Sequence, residues 1–185
     1  MRRYGCRSCG AAGHAPLQHA VVCSLASHLY ELLLHHLPDQ ALHDAELATI
    51  VDLDWRLESP WTSGVINFDS PLPYHRDANN LPTWSAMLTW RYHTGGGNLH
   101  IPDYDVVLPC RDADVLYFPG HRLGHAVTPL HRRHDGYRHT AVYYTVSQMR
   151  HCPPITEHVS YAQRERTDAE DHWRQRQLAA GLLEP

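Results

Sequence analysis

A chain of 185 residues, 43% hydrophobic and 19% charged, has the size and composition to bury a single core and is not a disordered segment. Its formal net charge of -4, carried without a single lysine, excludes a general attraction to phosphate backbones. Nucleic acid would need a local patch, for which Arg2, Arg3 and Arg7 or the run His131-Arg132-Arg133-His134 are the candidates, and no apolar run approaches the length of a membrane span.

The basic start is followed by Tyr4-Gly5-Cys6 instead of an apolar signal core, and the cysteine count of 5 is odd. Both point to a cytoplasmic chain with reduced thiols. Cys6, Cys9, His14 and His19 have the spacing of a zinc knuckle whose last cysteine is replaced by histidine, so a structural zinc site is expected, with Cys23 as a substitute fourth ligand. Gly10 and Gly13 suit the tight turns of so short a loop.

Pro16 can open a helix, and Leu17, Val21, Leu25, Leu29, Leu32 and Leu33 follow at helical spacing up to Pro38-Asp39. A second helix is expected over 41–50. The leucines read as core, and His28, His35 and His36 as polar-face residues. Short strands separated by turn signals follow over 84–92, 97–101, 105–108, 114–118, 125–128 and 138–146. Trp84, Trp90 and Tyr92 read as core. Strands of this length and spacing predict a jelly roll, a double-stranded β-helix braced by flanking helices. The expected organisation is one domain: a knuckle-like loop over 1–23, a helical brace over 24–66, the catalytic jelly roll over 67–150 and a C-terminal helix over 151–185. Thr167-x-x-Glu170 has the form of a capping box for that last helix, and Gly181 would end it.

Within the jelly roll, His75-Arg76-Asp77, a distant His125 and then Arg138 form a spaced set. Two imidazoles and one carboxylate on one face of a metal leave positions open for chemistry, which is the ligand arrangement of non-haem Fe(II) oxygenases. Arg138 can pair bidentately with a carboxylate, as holding 2-oxoglutarate requires, with Arg132 and Arg133 as rivals. The set therefore predicts a dioxygenase using Fe(II), 2-oxoglutarate and O2, in which His75, Asp77 and His125 ligate iron. His121 competes with His125, but only His125 begins an apolar, strand-like run. Thr140 alternates with Arg138 and can face the same pocket.

From about Asn67 to Val146 the sequence resembles the TET/JBP family of Fe(II)/2-oxoglutarate dioxygenases, including its small viral and bacterial members. The resemblance rests on His75-Arg76-Asp77 followed by Asn80, on Leu99-His100-Ile101-Pro102, on His125-Ala126-Val127-Thr128-Pro129, and on Arg138-x-Thr140-x-Val142-Tyr143-Tyr144. It implies that Asn80 hydrogen-bonds the target base, that His100, Arg138 and Thr140 contact 2-oxoglutarate, and that Tyr144 stacks on the base. The activity implied is hydroxylation of the 5-methyl group of 5-methylcytosine in DNA, with the base flipped out and oxidation able to continue. Compactness and the resemblance together suggest a phage-encoded member. The chain departs from animal members at Val146, where they carry a histidine, and lacks their large cysteine-rich region. Alternatives are a dioxygenase of thymine, of a small molecule or of a protein, and a non-catalytic, zinc-dependent nucleic-acid-binding module. Cys110 and Cys152 have no role on this reading.

Overall fold

The computed structural model describes Cys6, Ala12, residues 15–157, His172, Gln175 and Arg176. Two prolines punctuate its helical part. Each occupies the first turn of a helix, where a missing N–H removes no bond: α1 spans Pro16–His36 and α2 spans Pro38–Ala48. Leu37, restricted by the proline after it, takes an extended φ of -139° and separates the two. Residues spaced three or four apart on α1, namely Cys23, Ala26, Leu29 and Leu33, are buried. Leu17 and Val21, expected on that face, lie off the stripe and are 80% and 67% exposed.

Seven strands follow: β1 (Ser63–Phe68), β2 (Ser85–Gly96), β3 (Leu99–Ile101), β4 (Val106–Leu108), β5 (Val115–Phe118), β6 (Ala126–Val127) and β7 (Leu130–Tyr144). They form two antiparallel sheets, one ordered β1-β7-β2-β5 and the other β4-β3-β6. The fold is thus mainly β with helices on one side, as expected. Because side chains alternate along a strand, each face of the larger sheet buries its own set. Ala86, Leu88, Ala141 and Tyr143 pack under α1. On the other face, Met87, Phe118 and Val142 meet Leu99 and Ile101 of the smaller sheet.

Several boundaries differ from expectation. Strand β1 lies where the end of the helical brace and the start of the jelly roll were placed, and the first two residues of the Gly95-Gly96-Gly97 turn signal belong to β2. Strand β7 begins at Leu130, through a polar run with no apolar alternation, because β2 satisfies its backbone at Thr94↔Arg132, Gly95↔His131 and Gly96↔Leu130. Trp90 and Tyr92, on β2 of this strand pair, are 36% and 49% exposed and are not core.

Cys6 is joined to Cys152 by a disulfide, beside a small core of Val51, Trp55, Leu81 and Met149. This corrects two expectations. Cys6 and Cys152 are not reduced thiols, and a sulfur in a disulfide offers no thiolate to zinc. His19 lies on α1 with its ring nitrogens 3.7 and 3.8 Å from Cys23 Sγ, one helical turn away, instead of closing a loop. Cys9, His14, Arg2, Arg3, Arg7, the capping box at Thr167 and Gly181 lie outside the described residues. Among the described residues no helix is long and apolar enough to cross a membrane.

Candidate active site

A single antiparallel bridge places two of the predicted ligands opposite each other. The His75 and His125 main chains exchange both hydrogen bonds, each 3.0 Å long, and the ring centroids stand 4.3 Å apart. Asp77 is set by its own N–H, which donates to the Gly120 carbonyl at 3.0 Å. One ligand atom from each of His75, Asp77 and His125 lies within 4.8 Å of the others.

The protonation of both rings follows from their neighbours. His75 Nδ1 lies 2.8 Å from the Pro73 carbonyl and His125 Nδ1 lies 2.9 Å from the Leu123 carbonyl. A carbonyl only accepts, so each Nδ1 carries a hydrogen, which leaves Nε2 as the atom that can ligate a metal. Those Nε2 atoms face Asp77, at 3.6 Å from Oδ1 for His75 and 3.9 Å from Oδ2 for His125. Burial, opposed by the bond to the Leu123 carbonyl and by Asp77 and aided by His75, lowers the His125 pKa and favours the neutral ring. Carbonyls that fix a histidine's tautomer and aim its other nitrogen are a recurring support of metal ligands. The donor set of two neutral nitrogens and a carboxylate fits Fe(II).

Gly120 is required by this arrangement: a Cβ there would stand 2.5 Å from Asp77 Oδ2. Phe118 braces the other side, with its ring edge-on to His125 at 5.0 Å. His121, the rival ligand, has a buried Nδ1 without a hydrogen-bond partner and does not belong to the three-residue group.

The metal group opens into a cavity of about 550 Å³ lined by Asn67, Met87, Leu99, Asn80, Tyr144 and Val146, among others. Asn80 and Val146 face each other across a second isolated bridge, and the Leu81 N–H donates to the Thr145 carbonyl at 2.7 Å. The loop carrying Asp77 and Asn80 is thereby stitched to the chain just beyond β7. Burial first, and Asp77 second, raise the Tyr144 pKa, which keeps its hydroxyl protonated.

Arg138, Thr140, Val142 and Tyr144 alternate along β7 with residues of the helix-covered face, so all four project between the sheets. Arg138 is 2% exposed, yet its Nε and Nη2 have no hydrogen-bond partner. Its backbone is held from both sides: its N–H donates to Asp69 Oδ1 at 2.6 Å and its carbonyl accepts from the Asp69 N–H at 2.9 Å. Gly97, at φ +64°, leaves room for the side chain, because a Cβ there would stand 2.5 Å from Arg138 Cδ. Burial lowers the Arg138 pKa, with the Cys110 thiol alongside opposing it. A guanidinium stays charged under ordinary conditions, so two unpartnered guanidinium nitrogens in the interior suit an anion. The Arg138 side chain is not among the residues lining the cavity; Asn67 stands at that end and donates its amide to Thr140 Oγ1 at 3.3 Å. Arg132 is not a rival clamp, since it pairs with Asp69 at 2.7 Å and is exposed.

His100 is the predicted site residue that the fold turns away. On β3 its neighbours Leu99 and Ile101 point into the core, so alternation sends His100 outward, where Nδ1 meets Tyr74 Oη at 2.5 Å. That corrects its expected contact with 2-oxoglutarate. Asp69, Gly97 and Gly120 support the site but were missed. Gly95-Gly96-Gly97 and Pro119-Gly120 carried turn signals, whereas nothing local marked Asp69.

No protein-family model and no curated protein matches the sequence. Among solved structures, the chain is similar to NgTET1 in complex with 5mC DNA, with a TM-score of 0.62 and 16% sequence identity over 76% of this chain. The fold is similar to the TET dioxygenase core. The match covers 55% of that chain, so this protein corresponds to little more than half of NgTET1.

Proposed function

We propose that this chain is an Fe(II)/2-oxoglutarate-dependent dioxygenase that hydroxylates the 5-methyl group of 5-methylcytosine in DNA. The observation that carries the reading is the pairing, between the same two sheets, of a three-ligand group with a buried arginine that lacks an anion. Likeness to a protein solved with 5mC DNA supports the substrate class.

His75 Nε2, His125 Nε2 and one Asp77 oxygen would hold iron on one face. Arg138, with Thr140 beside it, would receive the distal carboxylate of 2-oxoglutarate in a bidentate pair. Bound iron and 2-oxoglutarate supply the oxidising power: O2 is consumed, 2-oxoglutarate yields succinate and CO2, and one oxygen atom enters a methyl C–H bond. The residues of the cavity select that bond. Tyr144 presents an aromatic face for a base that has left the stack, and Asn80 presents an amide to its edge. Met87, Leu99 and Phe118 give the cavity an apolar wall that excludes water from the methyl group.

The direct test is nucleoside mass spectrometry after incubating the protein with iron, 2-oxoglutarate, O2 and methylated DNA, with Asp77→Ala as control. A gain of one oxygen on 5-methylcytosine, absent in the control, is expected. Succinate without a modified base would remove DNA as the substrate. Thymine is the second reading, because Val146 faces Asn80 and offers no hydrogen bond of its own at the base edge. An Asn amide both donates and accepts, so it can meet either pyrimidine.

A further inference from the structure

Thr89 carries a buried polar group that the proposed site leaves unused. On β2 it lies between Met87 and Arg91 on the inward face, directly opposite Thr140 of β7, one step from the facing pair Arg91↔Arg138. Its side chain is 1% exposed and its Oγ1 has no hydrogen-bond partner. Its main chain is fully engaged, donating to the Asp114 carbonyl at 3.0 Å and accepting from the Ala113 N–H at 2.8 Å. Directly opposed residues on antiparallel strands hold their Cβ atoms about 5 Å apart, so the Thr89 and Thr140 side chains share one patch of the interior. Of the four buried side-chain N and O atoms without partners among the described residues, three belong to Thr89 and Arg138. A strand interior has no need of a hydroxyl there, since valine fills the same volume and leaves no orphan.

We infer that Thr89 is a co-substrate-binding residue whose hydroxyl donates, alongside Arg138 and Thr140, to the carboxylate of 2-oxoglutarate that lies far from the metal. This rests on reading the chain as a 2-oxoglutarate enzyme. The carboxylate brings about four acceptor positions, more than one guanidinium fork fills, and a hydroxyl on the facing strand completes the ring of donors. Arg91 holds the wall behind it, its guanidinium being tied to the carbonyls of Cys110 and Thr94.

The test is calorimetric binding of 2-oxoglutarate, and of pyruvate, which lacks the distal carboxylate. It uses the full chain loaded with Mn(II), without DNA. Thr89→Val is expected to weaken 2-oxoglutarate about 10-fold, the loss of one hydrogen bond to a charged partner. Thr89→Ser should restore most of that affinity, and pyruvate should bind the wild type and Thr89→Val alike. The unliganded valine variant should melt no lower than the wild type, because it sheds an unpaired hydroxyl. Wild-type affinity for 2-oxoglutarate in Thr89→Val, or an equal loss for pyruvate, would overturn the inference while leaving the enzyme class standing. Failure of the wild type to bind 2-oxoglutarate at all would remove the class itself, and the inference with it. Should the valine variant melt early, Thr89→Ala supplies the same comparison of the two ligands.

Discussion

Replacing Gly120 by alanine isolates the geometry of the metal group from the stability of the fold. The added Cβ would stand 2.5 Å from Asp77 Oδ2, whereas ordinary contact begins near 3.4 Å, so the carboxylate must retreat by about 0.9 Å. The next contact, Phe118 Cε2 at 3.2 Å, needs only a few tenths of an ångström. The backbone itself is unstrained, since Gly120 does not have a positive φ. Asp77 cannot retreat by rotating its main chain, because its N–H is bonded to the Gly120 carbonyl. The carboxylate therefore leaves the position that faces both histidines. Disturbing the support of a metal ligand typically costs about 10- to 100-fold in affinity, and a ligand-atom shift near 1 Å belongs at the upper end. Titration of the wild type and Gly120→Ala with Fe(II) under anaerobic conditions measures the effect. Thermal unfolding of both metal-free proteins should show melting within a few degrees. A Gly120→Ala protein that binds iron within about twofold of the wild type would refute the placement of Asp77 in the metal group.

Three further outcomes are expected. Arg138→Met, which removes an interior guanidinium with two unpartnered nitrogens, should leave the unliganded fold as stable as the wild type or more so. It should weaken 2-oxoglutarate by about 100-fold or more, since a bidentate pair contributes about 3 kcal/mol; destabilisation with unchanged binding would mean that Arg138 is structural. Asp44 is 1% exposed, accepts from the Trp84 N–H at 2.9 Å and from Gln40 Nε2 at 2.7 Å, and burial raises its pKa. The folded state then holds its proton more tightly than the unfolded chain does. This group's contribution is largest below the unfolded carboxylate value of about 3.9 and declines as pH rises towards the raised folded value. Melting of the wild type relative to Asp44→Asn should accordingly be most favourable near pH 4 and least so at pH 7, and a difference that grows with pH would contradict the assignment. Finally, peptide mapping without reductant should recover Cys6 linked to Cys152. Reduction should cost about 5 kcal/mol, given a loop closed across 146 residues. Recovery of both peptides as free thiols, with zinc bound, would restore the knuckle.

The residues of the candidate metal group were readable from the chain because the signal depends on residue chemistry. His75, Asp77, His125 and Arg138 are residue types whose combination has few uses, and the strands around them announced themselves by alternation and turns. Pro16 marked a helix start and Pro38 the stop of the first helix, because proline acts through its own covalent geometry; that Pro38 also opens α2, ahead of the expected start at 41, was not foreseen. What the chain could not reveal was which side chains end up facing each other.

His100 stood in a matching segment, yet strand alternation turned it outward, and one residue of register decides such an outcome. Thr89 and Thr140 carry no mutual signal in sequence; only the pairing of β2 with β7 makes them neighbours. Gly97 and Gly120 became legible once the Arg138 and Asp77 side chains were seen to occupy the space a Cβ would need. Cys6 pairs with Cys152 because the fold brings these distant residues together beside Trp55 and Met149. Residue chemistry is local and survives in sequence. Contact across sheets is non-local, and it exists only once the chain has folded.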